Sequence, residues 1–278
     1  MCTHGNAPGL RLGQLVHEGE ATRRTELDSP LVFTVEQRDA LREHVLRLAE
    51  EDERAVAGAV VGSLALGGGD RFSDLDLTFA IADDVPTAEV LDDWTRVLVA
   101  ERDAVQLADL ERGATTYRVF LLPDALQFDL SMTPAAQFRP GGPRFRLLFG
   151  ETGEPRFPTP PLAHDLFGWG AIYALHARAC IERGRFWQAE HYVGAVRDHG
   201  LSLACLREGV TAVQARGYDD LSPETLAHFD GTHVGALEPG TLSAALAASV
   251  VALMREGVEA GLPHADVVAQ RLAELERV

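Results

Sequence analysis

The stretch that most constrains this chain is Val60-Val61-Gly62-Ser63, followed by the glycine-rich run Gly67-Gly68-Gly69 and then by Asp74-Leu75-Asp76-Leu77. An apolar run from Ala57 to Val61 ends at Gly-Ser, and the chain re-enters an extended segment that carries two aspartates separated by one leucine. Successive side chains of a strand point to opposite faces, so Asp74 and Asp76 are expected on one face and Leu75 and Leu77 on the other, toward a core. Two adjacent carboxylates are unfavourable without a positive partner, and an oxygen-rich pair suits Mg2+ bridging to phosphates. Glycine lets the backbone approach a phosphate closely, and the Ser63 hydroxyl with nearby N–H groups can donate to its oxygens.

A third carboxylate adds to the pair. Tyr117 to Leu122 and Leu126 to Met132 read as two strands joined by Pro123-Asp124-Ala125, with Asp129 alternating with Phe128 and Leu130. Burying an unpaired carboxylate there would be costly, and a metal partner is the simplest explanation for its place.

Val61-Gly62-Ser63, ten intervening residues, Asp74-Leu75-Asp76 and a later Asp129 together resemble the pattern of the nucleotidyltransferase superfamily that includes DNA polymerase beta. The resemblance spans roughly residues 30–150. The stretches Gly184-Arg185-Phe186-Trp187-Gln188-Ala189-Glu190 and Val196-Arg197-Asp198-His199 are similar to helices that follow this domain in bacterial antibiotic nucleotidyltransferases of the aminoglycoside and lincosamide type. The resemblance implies an α/β (α+β) chain in which a mixed-sheet nucleotidyltransferase domain precedes a C-terminal helical bundle, with the active site in the cleft between them. It also implies Asp74, Asp76 and Asp129 as catalytic ligands of one or two Mg2+ ions, with Gly62 and Ser63 against the nucleotide phosphates. ATP is the expected donor by family frequency.

Composition narrows the partners. The formal net charge of −17 argues against sequence-independent binding to DNA or RNA, which depends on neutralising phosphates with Lys and Arg. Acidic surfaces most often serve solubility, although the same excess of acid favours a cationic small molecule. Cys2, Cys180 and Cys205 have neither a disulfide framework nor a zinc spacing, which fits free thiols in a reducing cytoplasm. Residues 1–20 lack the apolar core of a secretory signal, and no segment is expected to reach the length of a membrane span. No Gly-Lys-Ser/Thr follows the glycines, which excludes a P-loop ATPase.

Along the chain, residues 1–30 read as a loose arm and 31–150 as the catalytic domain. Thr34 is the expected N-cap of a helix to about Arg54 with Leu41, Val45 and Leu48 on its buried face. A second helix is expected over 86–101 and a short strand within 103–112, giving a mixed sheet of four or five strands with helices largely on one side. Asp83, Asp84, Asp92 and Asp93 read as ordinary helix-entrance and surface acids. Residues 133–138 suggest a short helix, and Arg144 and Arg146 are candidate phosphate contacts. The prolines of 151–161 mark a linker. Residues 162–278 read as helical, with segments over 162–183 (apolar at Leu166, Trp169, Ala174 and Leu175), 185–208, 222–229, 240–256 and 263–277.

A hydroxyl acceptor benefits from a base, and the antibiotic-modifying relatives imply a carboxylate facing the cleft. Glu190 is the first choice and Asp198 the alternate. Arg197, seven residues after Glu190, returns to nearly the same helical face as a candidate phosphate contact. Trp187 is expected in the core. The expected acceptor is a small hydroxylated molecule such as an aminoglycoside- or lincosamide-like antibiotic. A protein side chain is the alternative acceptor, and a nucleotide-binding regulator or antitoxin without turnover the alternative role. Neither nucleic acid nor membrane is expected as a partner.

Overall fold

The computed structural model describes residues 33–273. The arm expected over 1–30, with Cys2, and the end of the helix expected over 263–277 lie outside the described residues. The chain separates into two compact units, dividing between Pro158 and Thr159.

In the first unit, α1 (Val35–Glu51) starts as its sequence dictates. The Gln37 amide donates to Thr34 Oγ1 at 3.2 Å while the Thr34 amide donates to Gln37 Oε1 at 2.6 Å, a reciprocal capping box. Then come β1 (Ala55–Val61), a 3-10 turn (Gly62–Leu66), β2 (Leu75–Ile81), α2 (Thr87–Arg102), β3 (Val105–Arg112), β4 (Thr115–Leu121), β5 (Gln127–Pro134) and β6 (Phe145–Phe149). They form one six-stranded sheet in the order β3-β4-β5-β2-β1-β6. The β2–β5 pair is parallel and the other pairs are antiparallel, so the sheet is mixed.

The period of two along each strand sorts the sheet into unlike faces. Leu75, Leu77, Phe79 and Ile81 of β2 and Phe128, Leu130 and Met132 of β5 pack with Leu41 and Val45 of α1 and with Val90, Leu91, Trp94 and Leu98 of α2. The other face carries Asp76, Thr78 and Ala80, with Phe138 packed on Ala57, Ala59 and Ala80. Polar clamps tie the helices to the sheet. Asp52, the C-cap of α1, accepts from Arg54 Nε and Nη2 at 2.8 Å each and from Trp94 Nε1 at 2.9 Å, and Arg54 reaches on to Asp93. Arg118 of β4, buried on the helix-bearing face, forks onto Asp109 and bonds Asp92 and Thr95. The acids at 92 and 93 are thus structural ion-pair partners, and Asp83 Oδ1 accepts from the Ala136 amide at 3.0 Å.

The sheet has six strands where four or five are expected. Phe145-Arg146-Leu147-Leu148-Phe149 follows a proline- and glycine-rich loop and is only partly buried at the sheet edge, so a period of two is hard to see in it. The helix expected over 133–138 is also shorter. β5 continues to Pro134, and only Ala135–Gln137 turns, as 3-10.

The second unit is helical: α3 (Ala163–Glu182), α4 (Phe186–Glu208), α5 (Pro223–Ala227), α6 (Pro239–Glu259) and α7 (Ala265–Leu272). The break between α3 and α4 falls at Gly184, whose φ of +66° carries the chain through the left-handed region. Ala174, Ala177, Val193, Val196, Leu242 and Leu253 lie in the shared core of α3, α4 and α6. Glu256 of α6 is fully buried and bridged by Arg207 of α4, with Nε 3.0 Å from Oε2 and Nη2 3.2 Å from Oε1. Cys180 and Cys205 are buried free thiols.

Three expectations are corrected here. Trp187 is 80% exposed, because it sits about 200° around α4 from Ala189, the start of that helix's buried face. Trp169 and Leu175 are exposed as well, since α3 buries Ala174, as expected, on a face with Phe167, Gly170, Ala177 and Ile181. Finally, α6 is long and apolar enough to cross a membrane by length and composition, at 21 residues and mean hydropathy 1.3. Its apolar character serves burial inside the helical unit, where Leu242, Leu246, Val250 and Leu253 are core residues.

Candidate metal centre

β2 and β5 are parallel neighbours, and their register sets Asp76 directly opposite Asp129. Both side chains leave the sheet on the face opposite the apolar cluster, because Leu75 and Leu77 flank one and Phe128 and Leu130 the other. Asp74 stands two residues before Asp76, just ahead of β2. One carboxylate oxygen from each of the three lies within 4.8 Å of the others, and all three residues are half-buried. Burial holds the Asp129 carboxyl above the usual carboxylate range; a hydrogen bond from Gln127 Nε2, at 2.9 Å, pulls it down, and the charge of Asp74 raises it further. Three acids this close repel one another, and a set made only of carboxylate oxygens matches the hard-oxygen preference of Mg2+.

The turn after β1 borders this cluster. Gly62 has φ +69°, where a side chain is strained, and a Cβ at this position would overlap Asp76 Oδ2. Glycine therefore serves twice at one site: it turns the chain and leaves room for the carboxylate. The next residue, Ser63, has a buried hydroxyl with no hydrogen-bond partner among the described residues. Leaving a buried hydroxyl unsatisfied costs about 1–3 kcal/mol, a penalty that an incoming acceptor oxygen would relieve.

The segment from Gly67 to Asp74 is held by a compact knot. The Asp70 amide donates to Ser73 Oγ at 3.0 Å, and Asp70 Oδ1 accepts from the Phe72 amide at 2.9 Å and from Ser73 Oγ at 3.0 Å. These bonds hold the Asp70 carboxyl below its ordinary range, the Phe72 amide contributing most. Arg38 of α1 reaches into the knot, where its Nη1 donates to the carbonyls of Asp70 at 2.7 Å and of Ser73 at 3.0 Å. Sequence reasoning missed Arg38. The available signal is its phase: it lies three residues before Leu41 and seven before Val45, so it is a cation within an apolar stripe.

Glu190, Arg197 and Asp198 are on α4 in the second unit. Glu190 is half-buried. Arg197 pairs with its neighbour, Nε to Asp198 Oδ1 at 3.1 Å, and its Nη1 lies 3.4 Å from His233 Nδ1. Arg144 and Arg146 are exposed at the start of β6, next to the end of β1, where Phe145 pairs with Val61.

No protein-family model matches the chain, and no curated protein matches it in sequence. Among solved structures, the chain is similar to an aminoglycoside 6-adenyltransferase from Bacillus subtilis, with 14% identity over 84% of this chain and 96% of the other, at a TM-score of 0.39. That likeness is too loose for anything to be carried across from it.

Proposed function

We propose that this chain is a Mg2+-dependent nucleotidyltransferase that moves a nucleoside monophosphate, AMP from ATP in the leading case, onto a hydroxyl of a small molecule such as an aminoglycoside- or lincosamide-like antibiotic, releasing pyrophosphate. The observation that carries this reading is the convergence of Asp74, Asp76 and Asp129 beside the Gly62-Ser63 turn. The pattern Gly-Ser, Asp-x-Asp and a distal Asp, read from the sequence, resembles the nucleotidyltransferase superfamily, and its members in space are close neighbours.

Asp74, Asp76 and Asp129 would hold one or two Mg2+ ions. Bound there, the metal supplies Lewis-acid stabilisation of charge on the attacking and leaving oxygens. The backbone at Gly62 and the Ser63 hydroxyl, unpartnered among the described residues, would bind the β- and γ-phosphates, since the hydroxyl can donate to a phosphate oxygen. In the transfer, the acceptor oxygen forms a bond to the α-phosphorus as the bond from that phosphorus to the bridging oxygen breaks. Pyrophosphate leaves with the electron pair. The acceptor proton passes to a carboxylate, Glu190 in the first reading and Asp198 in the alternate, with Arg197 as a phosphate contact if it leaves Asp198.

The test is pyrophosphate release with each nucleoside triphosphate and Mg2+ across aminoglycosides, lincosamides and simple polyols, with Asp76→Asn as control. Release that requires an acceptor and is lost in the control supports the proposal. Release only with a protein acceptor would shift the substrate class, and metal-dependent nucleotide binding without release from any acceptor would favour a regulatory role.

A further inference from the structure

Arg38 is an unusual group to find at 4% exposure on the inner side of a helix. The same buried face carries the apolar Leu41, Val45 and Ala49 beside His44, and burying a guanidinium is costly unless its donors are used. Its two hydrogen bonds among the described residues both come from Nη1 and go to main-chain carbonyls of one segment, Asp70 and Ser73, while its buried Nε has no hydrogen-bond partner there. Among the described residues its carboxylate contact is to its chain neighbour, with Nε 4.0 Å from Asp39 Oδ1, which is too long for a hydrogen bond. This guanidinium is therefore committed to the loop, and the loop's last fixed point, the Ser73 carbonyl, belongs to the peptide unit that leads directly into Asp74.

That connection matters because Asp74, alone of the three acids, lies outside a strand. Asp76 and Asp129 are held by the β2–β5 ladder, whereas Asp74 lies ahead of β2, after a run with three consecutive glycines. Ladder bonds cannot set its place. The Asp70–Ser73 knot makes the turn compact, and Arg38 anchors the knot to α1.

We infer that Arg38 is a positioning residue: through the Ser73 carbonyl it sets where Asp74 stands relative to Asp76 and Asp129, and so sets the affinity of the cluster for a divalent cation. The inference rests on the reading of the three acids as a cation site. It has a sign that charge alone cannot mimic. A buried cation near a metal site opposes metal binding, so removing it should tighten binding if charge is all that it contributes. Positioning predicts the reverse.

The experiment is Mn2+ titration of the full chain, read by the loss of the free-ion EPR signal. Arg38→Met keeps the stem and removes the donors; it should weaken Mn2+ binding about tenfold, the scale on which outer-shell partners of ligands act. Arg38→Lys, whose single nitrogen can serve two carbonyls as Nη1 does, should recover most of the loss. In an Asp74→Asn background, Arg38→Met should cause no further loss, because the ligand through which it acts is already gone. Ser73→Ala opens the knot without changing any charge and should weaken binding severalfold, which keeps the test available if Arg38→Met does not fold. Unchanged or tighter binding in Arg38→Met overturns the inference, as does equal weakening with and without Asp74. If Arg38→Met is unfolded, wild-type affinity in Ser73→Ala overturns it. If the wild type binds Mn2+ no better than Asp76→Asn, the cation reading itself fails and takes this inference with it. Wild-type binding that is lost in Asp76→Asn but indifferent to Arg38 removes the inference alone.

Discussion

Asp76 Oδ2 lies against the α-carbon of Gly62, so close that no side chain fits between them, and Gly62 holds a φ of +69°. The turn that ends β1 and the central carboxylate of the cluster are therefore mutually dependent. Gly62→Ala meets a backbone penalty of about 1–2 kcal/mol and must also displace the carboxylate. The expected result is a modest fall in stability by urea denaturation and a disproportionate loss of Mn2+ binding. A variant that loses stability but binds Mn2+ as the wild type does would show that the contact is incidental.

Asp129 should be a liability without a cation, since burial and the charge of Asp74 both disfavour its ionised form. Asp129→Asn removes one charge from the cluster and should raise the melting temperature measured in EDTA, because like charges no longer crowd the β2–β5 pair. The same variant should lose the stabilisation that Mg2+ gives the wild type, about 2.7 kcal/mol at a hundredfold excess over Kd. Differential scanning fluorimetry with and without Mg2+ reads both effects, which run in opposite directions.

Acid stability should depend on Asp52. The Arg54 side-chain bond, with help from Trp94, holds its carboxyl down to about 2 against burial, which pushes the other way. A carboxyl depressed on folding contributes stability that is fully present above its unfolded pKa of about 4 and is lost as the pH falls toward about 2. The contribution is roughly 2 kcal/mol on the scale of 1.36 kcal/mol per pKa unit. Urea titrations at about pH 5 and about pH 2.5 should therefore differ less for Asp52→Asn than for the wild type, by most of that amount.

In the helical unit the fully buried Glu256 relies on Arg207. Arg207→Met alone leaves a buried charge uncompensated and should cost about 3–5 kcal/mol. The double variant Arg207→Met/Glu256→Leu should be clearly more stable than the single one, since an apolar pair replaces both ions. Chemical denaturation of the two variants reads this difference, and equal losses would show that the bridge is not coupled.

Much of this architecture was legible because it follows simple periods. The alternation of Asp74 and Asp76 with Leu75 and Leu77 placed β2 and its two faces, Thr34 marked the start of α1, and Gly184 marked the break before α4. The site's core was legible for the same reason, since Asp76 and Asp129 are set by alternation within apolar strands. What was not legible depends on partners far away in the chain. Arg38 and Ser73 are 35 residues apart, and no local pattern announces a bond from a side chain to a distant carbonyl. Trp187 and Trp169 misled because a large aromatic residue reads as core until the buried faces of α3 and α4 are known. The short edge strand β6 misled because half-exposed Phe-Arg-Leu-Leu-Phe keeps no clear alternation.

The central claim is transfer of a nucleotidyl group at the three aspartates, and label position tests it most directly. The chain would be incubated with Mg2+, a responsive hydroxylated acceptor and ATP labelled at either the α- or the γ-phosphorus, beside Asp76→Asn. The account predicts that α-label enters the acceptor and γ-label leaves as pyrophosphate, with both events lost in the variant. Appearance of γ-label in the acceptor, or transfer that persists in Asp76→Asn, would contradict it.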